Sequence, residues 1–265
     1  MRLKDKVILV TASTRGIGLA ISKACAKEGG VVYMAARNLE RAQAEADKFN
    51  SQGFRVQCVY NDATEPETFT SMVEETVQDA GRIDVLVNNF GVSNPGKDLD
   101  FLNTAPDVFI HTVQLNLRSV YMASQAAAKH MAAQGGGSIV NISSIGGAVP
   151  DISQIAYGTS KAAINYLTKL IAVHEAKHHI RCNAVMPGMT ATEAVEKHLT
   201  EGFRNLFLRH IPLKRMGLPE EIAEAVVYFA SDASAYTTGQ TLSISGGFGL
   251  ATPIYGDLSN TTSHR

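Results

Sequence analysis

Seven short, almost wholly apolar runs recur along the chain, and a longer segment separates each from the next. The runs are 7–10, 31–35, 56–60, 83–87, 138–142, 180–185 and 241–244. Continuous β-branched and aliphatic runs of this length read as strands buried on both faces. The intervening stretches at 17–27, 39–51, 66–80, 156–176 and 219–231 read as helices. The stretch at 106–134 is long enough for one helix, or for two broken at an unseen point. Gly29-Gly30 and Gly135-Gly136-Gly137 stop helices, and Thr64 with Pro66 mark a helix start. Strands joined through helices pair in parallel by right-handed crossovers. The expectation is a single α/β domain over 1–265, a doubly wound seven-stranded parallel sheet flanked by helices. Such a sheet puts its ligand site at the carboxyl ends of the strands.

The charge balance narrows the partners. Twenty-four basic and 25 acidic residues leave a net charge of −1, with no electrostatic footprint for nucleic acid or an anionic membrane. No apolar run reaches the roughly 18 residues of a membrane span. Residues 1–6 lead directly into the first strand, which argues against a secretory leader. Cys25, Cys58 and Cys182 form no CxxC, which suits a reduced, cytoplasmic protein. One segment, 186–216, breaks the strand–helix alternation and carries an amphipathic piece from Ala194 to Arg209. It reads as a substrate lid, the alternative being a plain surface insertion. The tail, 250–265, is polar and turn-rich toward its end, suited to covering a neighbouring subunit's site or to disorder.

The first strand runs into Thr11-Ala12-Ser13-Thr14-Arg15-Gly16-Ile17-Gly18 and then a helix. Gly16 and Gly18 let backbone approach a pyrophosphate, and the helix start offers N–H groups to it. After the second strand an NAD site places Asp or Glu on the ribose hydroxyls. Here the residues are Arg37 and Asn38, and Arg15 sits in the turn. Two guanidiniums favour a 2′-phosphate, so the predicted cofactor is NADP(H).

Tyr157 and Lys161 are four apart on a predicted helix and share a face. A nearby ammonium favours the phenolate, which equips Tyr157 as an acid or base nearer neutral pH. Ser144, after the fifth strand, is placed to hydrogen-bond a substrate oxygen. His174-Glu175-Ala176-Lys177-His178 matches HExxH, a zinc-hydrolase pattern. It closes a helix and leads straight into a strand, where basic residues answer the helix dipole, so no metal is assigned.

Taken together, these motifs resemble the short-chain dehydrogenase/reductase family, whose domain is a Rossmann fold. The likeness runs from residue 5 to about 250. It includes the turn at 11–18, Asp62-Ala63, Asn88-Asn89-Phe90-Gly91, Asn116, Ser144, Tyr157, Lys161, Pro187-Gly188 and Thr192. The resemblance implies Tyr157 as acid/base, Ser144 as polariser of the substrate oxygen, and Lys161 as ribose ligand and depressor of the Tyr157 pKa. Asn116 would hold a relay water. Cofactor contacts would come from Thr11, Ser13, Thr14, Arg15, Gly16, Ile17, Gly18, Arg37, Asn38, Asp62, Ala63, Asn89, Gly91, Pro187, Gly188, Thr190 and Thr192, besides Tyr157 and Lys161. Two positions depart from the family: Ala12 replaces a glycine, and Phe90 an alanine.

Within the family, the Ser13–Gly18 turn, Asn88–Gly91, Pro150-Asp151-Ile152-Ser153 and Gly246–Pro253 resemble bacterial bile-acid hydroxysteroid dehydrogenases. The implied reaction is reversible NADP(H)-dependent oxidation of a steroid hydroxyl, the 12α-hydroxyl first and the 7α-hydroxyl as alternative. Ile145, Val149, Ile155 and apolar residues of 186–210 would meet the substrate. A 3-oxoacyl thioester reductase shares the catalytic set. A non-catalytic NADP(H)-binding regulator would have no need of it. Family likeness also implies a homotetramer with contacts on the Tyr157 helix, the Asn116 helix and the last strand.

Overall fold

The computed structural model describes residues 1–252 and 254–261. Among these residues one sheet holds β1 (Val7–Thr11), β2 (Val31–Ala36), β3 (Arg55–Tyr60), β4 (Val85–Asn88), β5 (Gly137–Ile142), β6 (Ile180–Pro187) and β7 (Thr241–Ile244). Its order is β3-β2-β1-β4-β5-β6-β7, and every pairing is parallel. The chain steps outward from β1 to β3, then restarts beyond β1 with β4. That reversal opens a crevice at the carboxyl ends of β1 and β4.

The helices are α1 (Gly16–Lys27), α2 (Leu39–Asn50), α3 (Thr68–Ala80), α4 (Pro106–Gln134), α5 (Ile155–Glu175), α6 (Glu193–His198), α7 (Glu201–Leu208), α8 (Pro219–Ala230) and α9 (Tyr255–Thr261). Alternate residues of β1 serve opposite layers, as the two-residue strand period requires. Ile8 and Val10 pack with Ile21 and Cys25 of α1 and Ile222 and Phe229 of α8. Val7 and Leu9 pack with Phe69 and Met72 of α3 and Ala127 and Met131 of α4. A buried polar chain crosses the second layer. Asn88 Nδ2 donates to Ser124 Oγ and Asn141 Oδ1, and Asn141 Nδ2 donates to Thr168 Oγ1. It pins α4 and α5 to the middle of the sheet beneath the crevice.

The stretch at 106–134 is one unbroken helix of 29 residues, opened by Pro106 and closed by Gly135 at φ 95°. Nothing inside it removes a backbone donor, so no break is imposed. The helix predicted from Pro66 begins at Thr68, because Thr68 and Phe69 N–H bond the carbonyls of Glu65 and Pro66 in tighter turns.

Segment 186–216 carries α6 and α7, whose first turns are capped by the Thr192 and Thr200 hydroxyls. Phe207 of α7 stacks on Phe248 with centroids 4.8 Å apart. Helix α9 packs on this same segment of its own chain. Asp257 pairs with Arg209, and the Lys214 ammonium lies 4.8 Å from the Tyr255 ring centroid. The tail, expected to cover a neighbouring subunit's site or to be disordered, forms through 261 a helix that contacts segment 186–216 of its own chain. Positions 253 and 262–265 lie outside the described residues.

Candidate active site

The turn after β1 is held tightly from two sides. Ser13 is buried, and both its N–H and its Oγ donate to Ala35 O, tying the turn to β2. Asn89 Nδ2 donates to Thr11 O and Ala12 O at 3.1 Å each. Thr11 Oγ1 accepts from Asn89 N and Phe90 N at 2.9 Å. The side chains of Thr11 and Asn89, expected near the cofactor, also lock the turn to the end of β4. Ala12 sits at φ 51°, a left-handed conformation that a glycine adopts without strain. A Cβ on Gly18 would meet Ala12 O and come within 2.5 Å of Asn89 Nδ2. Only glycine lets α1 start this close to the strand ends.

Arg15 precedes α1 in an extended conformation, and no side chain caps the helix. Its first-turn N–H groups therefore face the crevice without a side-chain acceptor, which fits a bound pyrophosphate. Arg15 is exposed, Thr14 and Gly16 are half-buried, and Ile17 turns into the core cluster beside β1.

At the adenosine end, Arg37 is 75% exposed, its Nε 3.8 Å from Asp62 Oδ2. Asp62 accepts from Thr64 N and Thr64 Oγ1; these bonds, with Arg37 assisting, hold its carboxyl below the usual range. Ala63 lies half-buried beside it. Asn38 is not free for a ligand through Oδ1, which caps α2 by accepting from Arg41 N at 2.8 Å. Arg41 stands in the first turn of α2, four residues after Arg37. The Glu193 carboxyl of α6 is drawn down first by its ion pair with Lys197, and more weakly by Arg41 and Arg15.

At the ends of β4 and β5 the side chains expected to carry the chemistry meet. Two adjacent serines take different tasks. Ser143 is buried and gives its hydroxyl to Lys161 O. Ser144 is half-buried; its Oγ accepts from Gly146 N at 3.2 Å, leaving its O–H to donate. That O–H reaches the Tyr157 phenol and pulls its pKa down, but burial is the larger cause and raises it. Lys161 is 2% exposed and donates from Nζ to Ile142 O at 2.9 Å. Its Nζ lies 5.6 Å from the Tyr157 ring centroid. Burial lowers the ammonium to about 8. Burial thus outweighs the pull of Ser144 on the Tyr157 phenol, and the Lys161 ammonium, expected to lower that pKa, donates to Ile142 O.

Asn116 is fully buried. Its Oδ1 accepts from Val92 N, and its Nδ2 donates to Val92 O and Ser160 Oγ. The side chain, expected to hold a relay water, fixes the loop after β4 beside α5. A Cβ on Gly91 would lie 2.9 Å from Lys161 Nζ, so this glycine makes room for the ammonium. Phe90 turns toward α3 and meets Phe69 edge-on, with centroids 6.1 Å apart.

Beyond β6, Pro187 ends the strand and Gly188 N–H bonds Ile244 O. Thr190 is buried, with Oγ1 donating to Gly188 O, and it bridges Gly217. Thr192, the α6 cap, places its methyl 3.4 Å from the position of a Cβ on Gly16. The loops after β1, β4, β5 and β6 thus converge on one crevice. The HExxH stretch lies elsewhere: α5 ends at Glu175 and a tighter turn spans Ala176–His178, so His174 and His178 are not on one continuous α-helix.

A family model described as enoyl-(acyl carrier protein) reductase matches residues 11–249. The chain belongs to the short-chain dehydrogenase/reductase family. It is an oxidoreductase of that family, whose members use nicotinamide cofactors. It is 50% identical to a 7α-hydroxysteroid dehydrogenase of Clostridium sardiniense, over 97% of this chain and 98% of that one. A 7α-hydroxysteroid dehydrogenase of Paraclostridium sordellii is 46% identical, with 97% of each chain covered. A solved 7α-hydroxysteroid dehydrogenase complexed with NADH and 7-oxo glycochenodeoxycholic acid superposes with a TM-score of 0.88 at 30% identity. That match covers 93% of this chain and 95% of the other. Among the described residues no helix is long and apolar enough to cross a membrane.

Proposed function

We propose that this chain is an NADP(H)-dependent hydroxysteroid dehydrogenase that reversibly oxidises a ring hydroxyl of a bile acid. One observation carries the reading: Ser144, Tyr157 and Lys161 converge in a chain half-identical to a hydroxysteroid dehydrogenase over nearly its whole length. The cofactor supplies a nicotinamide carbon that accepts or returns hydride. Arg15 and Arg37, with Arg41 near them, suit a 2′-phosphate. The open N–H groups of α1 suit the pyrophosphate, and the loop from Pro187 to Thr192 suits the nicotinamide end. Lys161 suits the ribose hydroxyls.

In the oxidative direction, Tyr157 as phenolate takes the hydroxyl proton while hydride leaves the carbinol carbon. Ser144 donates its O–H to the oxygen on which charge develops. Segment 186–216 acts as the lid. Its α7 exposes Phe203 and Leu206, an apolar surface suited to a flat ring system. The exposed Ile110, Tyr121, Tyr166 and Val173 on α4 and α5 favour a homotetramer, and the three free thiols suit the cytoplasm.

For the position of attack, the overall resemblance to bile-acid enzymes puts the 12α-hydroxyl first, although 7α enzymes share much of the same pattern. The names of the relatives favour the 7α-hydroxyl as a second reading. The test is NADPH formation with deoxycholic acid, which has a 12α- but no 7α-hydroxyl, against chenodeoxycholic acid, which has the reverse. Turnover of the first alone supports 12α, and of the second alone 7α. Turnover of both points to the shared hydroxyl at carbon 3. Silence on both, with NADPH bound, overturns the steroid reading.

A further inference from the structure

Helix α5 delivers the phenol of Tyr157 from its third residue, yet its own sequence does not cap it. Gln154, which precedes the helix, is left-handed at φ 59° and makes no side-chain cap. The cap comes from a loop more than fifty residues upstream. Asp98 is fully buried. Its Oδ1 accepts from Ala156 N and its Oδ2 from Tyr157 N, both at 2.9 Å. The backbone of the same loop completes the set: Asp98 O accepts from Gln154 N, and Leu99 O from Ile155 N. The loop is itself braced. Asp98 N donates to Asn94 O, Leu99 N donates to Thr104 Oγ1, and Ser93 bonds the Gln154 side chain.

We propose that Asp98 is the positioning residue of Tyr157: its buried carboxylate holds the first turn of α5, and with it the placing of the phenol against Ser144. The inference rests on the acid–base role proposed above for Tyr157. A carboxylate matches two converging N–H groups at a helix start, where both the free donors and the helix dipole favour it. Lys161 lies a full turn deeper and is anchored separately on Ile142 O. Loss of the carboxylate therefore loosens the reacting group while leaving the ribose ligand in place.

The test compares wild type with Asp98→Ala and Asp98→Asn, since the amide keeps one of the two acceptors and guards against a variant that does not fold. Misplacing a reacting group by about 1 Å can cost roughly a hundredfold in rate. Asp98→Ala is expected to lower kcat by about ten- to a hundredfold with NADPH affinity within about twofold of wild type, and Asp98→Asn to recover part of the rate. Hydrogen exchange is expected to accelerate at the Ala156 and Tyr157 amides and not at Lys161. Unchanged kcat in both variants overturns the proposal. So does a parallel fall of kcat and NADPH affinity with no faster exchange at those two amides. If wild type turns over no bile acid, the substrate reading fails alone. Exchange then decides Asp98: acceleration confined to Ala156 and Tyr157 supports the proposal, and unchanged exchange overturns it.

Discussion

Lys161 carries a stability cost that can be measured apart from catalysis. It is 2% exposed, and burial alone lowers its ammonium from 10.5 to about 8. At neutral pH that depression corresponds to about 3 kcal/mol against the folded state. Lys161→Met keeps the length of the side chain and removes the charge. It also leaves Ile142 O without its donor, which returns about 1–2 kcal/mol. The cofactor-free variant is therefore expected to be more stable than wild type by about 1–2 kcal/mol at pH 7, while losing activity. The sign reverses with pH in a defined window. Because the folded pKa lies below the unfolded one, the unfolded chain binds more protons between about 8 and 10.5, and wild-type stability rises there. The advantage of the variant should shrink by about 1.4 kcal/mol per pH unit across that window. Urea unfolding of both proteins without cofactor, at steps from pH 7 to pH 10, reads this directly. A variant less stable at every pH, or a difference that does not change with pH, refutes the reasoning.

Other perturbations address neighbouring parts of the site. Tyr157→Phe should abolish turnover while leaving NADPH affinity nearly intact; retention of more than about a tenth of wild-type kcat removes the acid–base assignment. Gly91→Ala puts a Cβ 2.9 Å from Lys161 Nζ and should lower kcat by more than about tenfold with the fold retained, checked by kinetics beside a thermal melt. Arg37→Ala should weaken NADPH binding by about tenfold and leave NADH binding nearly unchanged; Arg41→Ala should act in the same direction, more weakly. Fluorescence titration with both dinucleotides distinguishes a 2′-phosphate contact, which moves one, from a general charge effect, which moves both.

The parts of this fold that were legible in sequence share a physical cause. Strands buried on both faces must be apolar throughout, so β1, β2 and β4 announce themselves within a residue or two of their ends. The single span of α4 was undecidable, because neither a proline nor a glycine inside it marks continuity or a break. The chemical set was legible because Tyr157 and Lys161 lie one turn apart on one helix, and Ser144 follows a strand pointing at them. Residue type near a site does not reveal which atoms are already engaged. Thr11, Asn38 and Asn89 stand where a cofactor contact is expected, and Thr11 Oγ1, Asn38 Oδ1 and Asn89 Nδ2 also bond neighbouring backbone. Asp98 escaped for the opposite reason: its partners lie more than fifty residues away, and only the folded chain brings its carboxylate to the start of α5. Substrate preference is the hardest to read. Phe207 meets Phe248 within its own chain while Phe203, four residues earlier, stays exposed, although both belong to one amphipathic pattern. Burial decides which of them is free to meet a substrate, and burial is a property of the fold.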